Sequence, residues 1–173
     1  MRKDTLSAEY PQRKYGMDHP RYAWSMLADR PRVSWPNGNT LAVWVNVSLE
    51  HFPMNPIGSP VKLPGSMTMP YPDLRHYTLR DYGNRVGIYR MLGALDKFGI
   101  RPSFAINAAL IQRYPYLAQF IRARGNEILG HSWSMDTPHV GGLSLEDETE
   151  CVRRTLSALR RFFDNPIRGW LSP

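Results

Sequence analysis

Side chains that could carry out acid–base chemistry follow the short apolar runs of this 173-residue sequence. They comprise carboxylates, imidazoles and an amide. In chain order these residues are Glu50, His51, Asn107, His131, Asp136 and His139. A carboxylate can take a proton from water, and an imidazole can transfer a proton or bind a metal. The pattern raises the hypothesis of a catalytic site, provided that the fold brings the runs together.

Regular elements that could position these side chains alternate along the chain. Four apolar segments are predicted strands, the first of them buried on both faces because it is rich in Val. These segments are LAVWVNVSL (41–49), PSFAIN (102–107), EILGHS (127–132) and IRGWLSP (167–173). Helices are predicted over about 82–98, over 114–125 and from Ser144 onward. The alternation predicts a parallel sheet, in which polar residues at the carboxyl ends of the strands converge on one site.

Two stretches lack a regular period. Residues 1–39 are predicted to form an irregular N-terminal arm. Residues 50–83 are predicted to be irregular for most of their length, because their many prolines and glycines disfavour helix and strand. Within them, MPYPDLRHY is either simple packing or a lid that faces the substrate.

Composition narrows the class of protein. The net charge is +7, but the basic residues are scattered and no nucleic-acid-binding motif accompanies them, so nucleic acid is not expected as a partner. Cys151 is the single cysteine, which excludes an internal disulfide. The sequence contains neither the long apolar run of a membrane span nor a signal peptide. These features together favour the cytoplasm.

Each candidate residue also has a structural interpretation. Glu50 could pair with an arginine, and His51 and His131 could each be a structural histidine. Asp136 could cap the turn before Pro138, and Asn107 could bind backbone at the end of its strand. Trp170 could belong to the core.

From about Trp35 to Pro173 the sequence resembles the polysaccharide deacetylase family, particularly its allantoinase-like branch. Four motifs in order carry the resemblance: VSLEHF, PSFAINAA, YPYLAQFIRARGNEILGHS and GLSLEDETECVRRTLSALRRFFDNPIRGWLSP. The resemblance implies an α/β fold, a parallel-strand (β/α) barrel that is incomplete here, with about four β/α units in a deacetylase-like domain at 40–173. An unpaired edge beside the fourth strand would invite association, for example as a homo-oligomer.

The resemblance also implies roles for individual residues. Glu50 matches the general base, and His51 and His131 match metal ligands. The second histidine of the family's His-x-x-x-His pair is replaced by Met135, and Asp136 could substitute for it. A divalent metal such as Zn²⁺ is therefore expected to be absent rather than present.

Further roles complete the expected site. His131 and Arg168 are candidates for stabilising an oxyanion, and Asp136 or His131 for protonating the leaving nitrogen. The expected substrate-binding residues are Asn107, Trp133 and Trp170. The implied function is hydrolysis of non-peptide carbon–nitrogen bonds in a small amide or an N-acetylated sugar. The alternative is a non-catalytic binding or assembly module derived from such an enzyme.

Overall fold

The computed structural model describes residues 25–57, 71–140 and 142–173. The chain separates into two units, Met1–Ala42 and Val43–Pro173. In the first unit, residues 25–42 are exposed and carry two short 3-10 turns, Leu27–Asp29 and Pro36–Gly38. The rest of the predicted arm, and residues 58–70 of the predicted irregular segment, lie outside the described residues.

The second unit is built on a sheet of four parallel strands. They are β1 (Asn46–Leu49), β2 (Ser103–Ile106), β3 (Ile128–Gly130) and β4 (Gly169–Trp170), in the order β1-β2-β3-β4. The predicted α/β class and the parallel sheet are confirmed. Among the described residues the sheet is open, so the expected barrel is not confirmed.

Helices connect the strands. They are α1 (Leu74–Tyr82), α2 (Ile88–Lys97), α3 (Leu110–Arg113), α4 (Pro115–Arg124) and α5 (Leu145–Phe163), with a π-helical turn, Gly83–Gly87, between α1 and α2. The ends of α4 and α5 follow the sequence signals. Pro115 is the first residue of α4 and Gly125 ends it in the left-handed region at φ 62°. The Ser144 hydroxyl accepts the N–H of Asp147 at 3.0 Å at the start of α5.

Two of the predicted elements need correction. The first strand begins at Asn46, not residue 41, and it is not buried on both faces: Val47 and Leu49 are buried while Ser48 is exposed. The first helical region begins at Leu74 rather than near residue 82. The Asp73 carboxylate caps it by accepting the N–H of His76 at 3.0 Å, so an Asx cap outweighs the preceding prolines.

The pleat divides the strand residues between two sides of the sheet. Val47, Phe104 and Ile128 are in register and belong to the apolar core together with helix residues such as Leu92 and Leu159. We call this the helix side. Because side chains alternate along a strand, the next residues in each strand point to the opposite side.

None of the helices in the described residues is long and apolar enough to cross a membrane.

Candidate active site

Four residues form a row at the carboxyl edge of the sheet. Glu50, Asn107, His131 and Leu171 each follow the last paired residue of their strand. The backbone N–H groups of the last three donate to the neighbouring strand at 3.1, 3.2 and 2.9 Å, so the ladder extends into the row. By the alternation of the pleat, this row points to the side opposite the helices.

Glu50 and His131 make a direct contact across this row. Glu50 Oε1 lies 3.4 Å from His131 Nε2. The Glu50 side chain is 35% exposed and the His131 side chain only 3%. The carboxylate can therefore contact solvent or a substrate, while the imidazole stays behind it.

The other ring nitrogen fixes where the protons of His131 reside. Nδ1 lies 2.6 Å from the carbonyl oxygen of Leu171. A carbonyl can only accept, so Nδ1 must carry a proton. In the neutral ring Nε2 is then an acceptor, as is the Glu50 carboxylate. The contact becomes a hydrogen bond only when the pair holds one further proton.

The surroundings of His131 favour that proton. Burial by itself would lower the pKa of His131, but the hydrogen bonds to Glu50 and to the Leu171 carbonyl, with the negative charge of Glu50, outweigh it and raise the pKa above its usual 6.5. His131 thus holds a second proton more readily than a free histidine.

The chain turns sharply directly after His131. Ser132 adopts φ 58°, in the left-handed region, and is fully buried. Its hydroxyl donates to the carbonyl of Thr137 at 3.0 Å. Non-glycine residues in this region are costly and concentrate at functional sites. The turn directs residues 133–140 over the carboxyl edge of the sheet.

Two buried asparagines hold the backbone of this edge. Asn107 accepts the N–H of His51 at 2.7 Å and donates to the carbonyl of His131, so its amide is used on both sides. Asn107 is fully buried, which fits bracing of the edge rather than the predicted contact with substrate. Asn84 donates to the carbonyl of Glu50 at 2.8 Å. Sequence reasoning missed Asn84; its only signal was the pair of glycines in GNRVG (83–87).

His51 has a different environment from His131. It is 4% exposed, and its ring lies edge-on to Tyr114 with centroids 6.2 Å apart. Among the described residues its Nδ1 has no hydrogen-bond partner. Burial and then the charge of Arg113 lower the pKa of His51, against smaller opposing effects of two aspartates. His51 is therefore a neutral histidine on the helix side.

A cavity of about 750 Å³ lies beside His51 and is separate from the Glu50–His131 pair, neither of which lines it. Trp133 and Asp136 do line it. Trp133 is covered by the guanidinium of Arg154, 3.6 Å from the ring centroid. The Asp136 carboxylate accepts from the Ser134 hydroxyl and, at 2.9 Å, from the N–H of Ile57. Asp136 thus ties two loops together.

The last two predicted site residues lie away from the pair. Arg168 is exposed and precedes Leu171 by three residues, which at about 3.3 Å per residue is about 10 Å along the strand. Trp170 is on the helix side, against Gly130, and its ring lies 5.5 Å from that of His139. The structure therefore does not bring Arg168 or Trp170 to Glu50 and His131. Arg168 precedes the strand, and alternation turns Trp170 to the other side.

The donor atoms predicted for a metal do not converge either. Within the described residues, no three His, Cys, Asp or Glu side chains are grouped so that they could hold a metal ion. Both ring nitrogens of His131 are in use, the Asp136 carboxylate binds loop groups, and His51 lies on the other side of the sheet. The residues in place do not fit a divalent metal, which needs about three ligands around one point.

Comparison with known proteins identifies related folds. No family model and no curated protein matches the chain. The structure of Puue allantoinase matches with a TM-score of 0.70 and 20% identity over 89% of this chain and 53% of that one. A protein from Mycobacterium smegmatis assigned as a polysaccharide deacetylase matches with a TM-score of 0.51 and 26% identity over 58% of this chain and 34% of that one.

The resemblance to polysaccharide deacetylases and allantoinase, expected from four sequence motifs, is confirmed by these two structures. At 20% identity the allantoinase likeness shows a shared fold. The chain spans about half of one structure and a third of the other.

Proposed function

We propose that this chain carries the proton-transfer centre of a hydrolase of non-peptide carbon–nitrogen bonds, of the amide type. The contact between Glu50 and His131, 3.4 Å apart at the carboxyl edge of a parallel sheet, carries the proposal. Active sites of α/β folds gather at this edge.

Glu50 and His131 have different roles in this proposal, because only Glu50 is exposed to solvent. Glu50 reaches solvent and takes a proton from a water molecule, whose oxygen attacks the amide carbon. The carbonyl oxygen becomes an oxyanion. His131, protonated on both nitrogens, supplies the positive charge that stabilises Glu50 and the oxyanion. The sequence had suggested both His131 and Arg168 for this role, and the proposal keeps His131 alone because Arg168 lies away from the pair.

Collapse of the intermediate needs a proton on the leaving nitrogen. Glu50 then returns the proton that it took from water, so that the C–N bond breaks to give a carboxylic acid and an amine. Proton transfer by a positioned group of this kind contributes about 10²- to 10⁴-fold to the rate. The sequence had suggested Asp136 or His131 as the donor. The Asp136 carboxylate is engaged with Ser134 and Ile57, and the His131 side chain is only 3% exposed.

The two similar structures support a choice of substrates to test. One is an allantoinase and the other is assigned as a polysaccharide deacetylase. Allantoin and N-acetylated sugar oligomers are therefore the first substrates to test. Allantoin is a small cyclic amide, and the oligomers are sugar chains that carry acetamide groups.

The test is turnover of both substrates, followed by ring opening for allantoin and by acetate release for the sugars. Glu50→Gln should abolish turnover while Glu127→Gln should not. Glu127 is a matched control because it accepts from the Ser103 hydroxyl at 2.5 Å at the amino end of the sheet. Folded protein that turns over neither substrate, or Glu50→Gln with full activity, would refute the proposal. Binding without turnover would instead favour a non-catalytic module.

A further inference from the structure

One peptide group at the candidate site is held on both of its edges by side-chain amides. The carbonyl of Glu50 and the N–H of His51 belong to the same peptide plane. Asn84 Nδ2 donates to the carbonyl at 2.8 Å, and Asn107 Oδ1 accepts from the N–H at 2.7 Å. Both asparagines are buried, at 7% and 0% exposure.

The two asparagines have different origins. Asn107 directly follows β2 and is part of the row itself. Asn84 comes from the helix layer and is the only buried residue of the π-helical turn Gly83–Gly87. A π-helical turn inserts one residue into a helix and rotates the following side chains, and such turns are frequent at functional sites. Here the turn brings a buried polar residue to the end of β1. The adjoining regular helices contain no buried polar residue: α1 has no buried residue at all, and those of α2 are apolar.

The two hydrogen bonds from Asn84 and Asn107 to this peptide group influence the direction of the Glu50 side chain. Its Cα is attached to the held peptide group, so rotation of that plane would move the carboxylate relative to His131. His131 is itself fixed by its Nδ1 contact with Leu171 at 2.6 Å and by the bond from Asn107 to its carbonyl. Without Asn84, only one edge of the peptide group would be held.

We propose that Asn84 is a positioning residue: the π-helical turn exists to bring its amide to the Glu50 carbonyl and so hold the Glu50 carboxylate against His131 Nε2. This inference rests on the proposed function for its consequence in catalysis. Its structural content, the alignment of Glu50 with His131, can be measured without any turnover.

The experiment compares Asn84→Ala with Asn126→Ala. Asn126 is a matched control because it too is buried, at 6% exposure, and donates to a backbone carbonyl, that of Pro102, at 2.7 Å. It lies at the amino end of β3, away from the candidate site. Both substitutions remove one buried amide–carbonyl bond, so both should lower stability by similar amounts.

Only Asn84→Ala should change the site. We expect the ¹⁵N signal of His131 Nε2 to move at neutral pH, and kcat to fall by about tenfold or more with KM within about threefold, since small misplacement of a reacting group costs rate. Asn126→Ala should leave both unchanged. An unchanged His131 signal and kcat in folded Asn84→Ala would overturn the inference.

Two further arms make the test decisive. If Asn84→Ala does not fold, Asn84→Asp keeps the side-chain volume and replaces the amide donor by a carboxylate oxygen, and the same two changes are expected. If the parent protein turns over neither allantoin nor N-acetylated sugars, the proposed function fails, whereas the His131 signal still decides whether Asn84 aligns the pair.

Discussion

The two sides of the sheet differ most at its carboxyl edge. On the side opposite the helices, Glu50 Oε1 lies 3.4 Å from His131 Nε2. On the helix side, His51 packs edge-on to Tyr114 and borders a cavity. Glu50 and His51 are adjacent in sequence, yet the pleat separates them. A pair of neighbouring residues that looks like one site in the sequence is therefore divided between two environments.

The same division explains the opposite behaviour of the two histidines. His131 lies against a carboxylate and a carbonyl, which raise its pKa despite burial. His51 is buried beside the positive charge of Arg113, and both lower its pKa. Their degrees of exposure are nearly the same, at 3% and 4%, so the difference comes from their neighbours.

The strongest test of this comparison is to remove each histidine in turn. His131→Gln should lower kcat by about 10²-fold or more on whichever substrate is turned over, because it removes the partner of the general base. His51→Gln should have a much smaller effect, because His51 is outside the pair. Steady-state kinetics of the two variants measure this, with circular dichroism to confirm folding. Equal losses would mean that the two sides form one site.

The next test concerns packing on the helix side. A Cβ added to Gly130 would lie 2.5 Å from Trp170 Cε3, so the tryptophan ring would have to shift. Gly130→Ala should therefore lower the free energy of unfolding by about 1–3 kcal/mol. Gly93→Ala is the control: apart from the adjoining residues and the backbone of its own helix, no atom lies within 4 Å of the added carbon, and the residue is inside α2.

The free energy of unfolding of the control variant, Gly93→Ala, should change in the opposite direction. Alanine is favoured over glycine in a helix by up to about 1 kcal/mol, so Gly93→Ala should raise stability. Urea denaturation measures both variants. A neutral effect of Gly130→Ala would show that Trp170 is not packed against β3, and would reopen its predicted contact with substrate.

Much of the fold could be predicted from the sequence, because its signals are local. Pro115, Gly125 and Ser144 mark helix ends, and the structure places them there. Strand ends were less predictable. The run 41–49 is mostly apolar, yet only Asn46–Leu49 pair, because β2 begins at Ser103, the partner of Asn46.

The candidate site was only partly predictable, for the same reason. Sequence placed Glu50 and His131 at strand ends, and register brought them together. Arg168 was already at the start of the predicted strand 167–173, and in the structure it directly precedes β4, three residues before Leu171 at the edge. Asn84 was missed because its role depends on a π-helical turn, which has no strong sequence signature.

A smaller effect is expected in the dependence of stability on pH. The pKa of His131 is raised in the folded state. Its contribution to the free energy of unfolding is therefore complete below about pH 6.5 and is lost as the pH rises through the folded-state pKa. The pKa of His51 is lowered in the folded state. Its contribution to the free energy of unfolding is therefore present above about pH 6.5 and is lost as the pH falls through the folded-state pKa.

Denaturation from pH 5 to 9 should separate the two histidines. The stability lost in His131→Gln should be largest at acidic pH and shrink as the pH rises. The loss in His51→Gln should be largest at alkaline pH and shrink as the pH falls. Parallel curves for the two variants would contradict the difference in environment between the two sides.

The smallest effect is expected on removing metal. A catalytic zinc site needs about three protein ligands and an open position for water. His51 and His131 lie on different sides of the sheet, and the Asp136 carboxylate is engaged by Ser134 and by the Ile57 N–H at 2.9 Å. We therefore expect purified protein to carry well under one Zn²⁺ per chain, and chelation to leave activity and the unfolding midpoint nearly unchanged. Elemental analysis and unfolding with and without chelator measure this. One tightly held metal per chain, lost in both His131→Gln and His51→Gln, would show that the two sides meet at a common ion. The positive charge at the site would then come from the metal rather than from His131, with Glu50 still as the base.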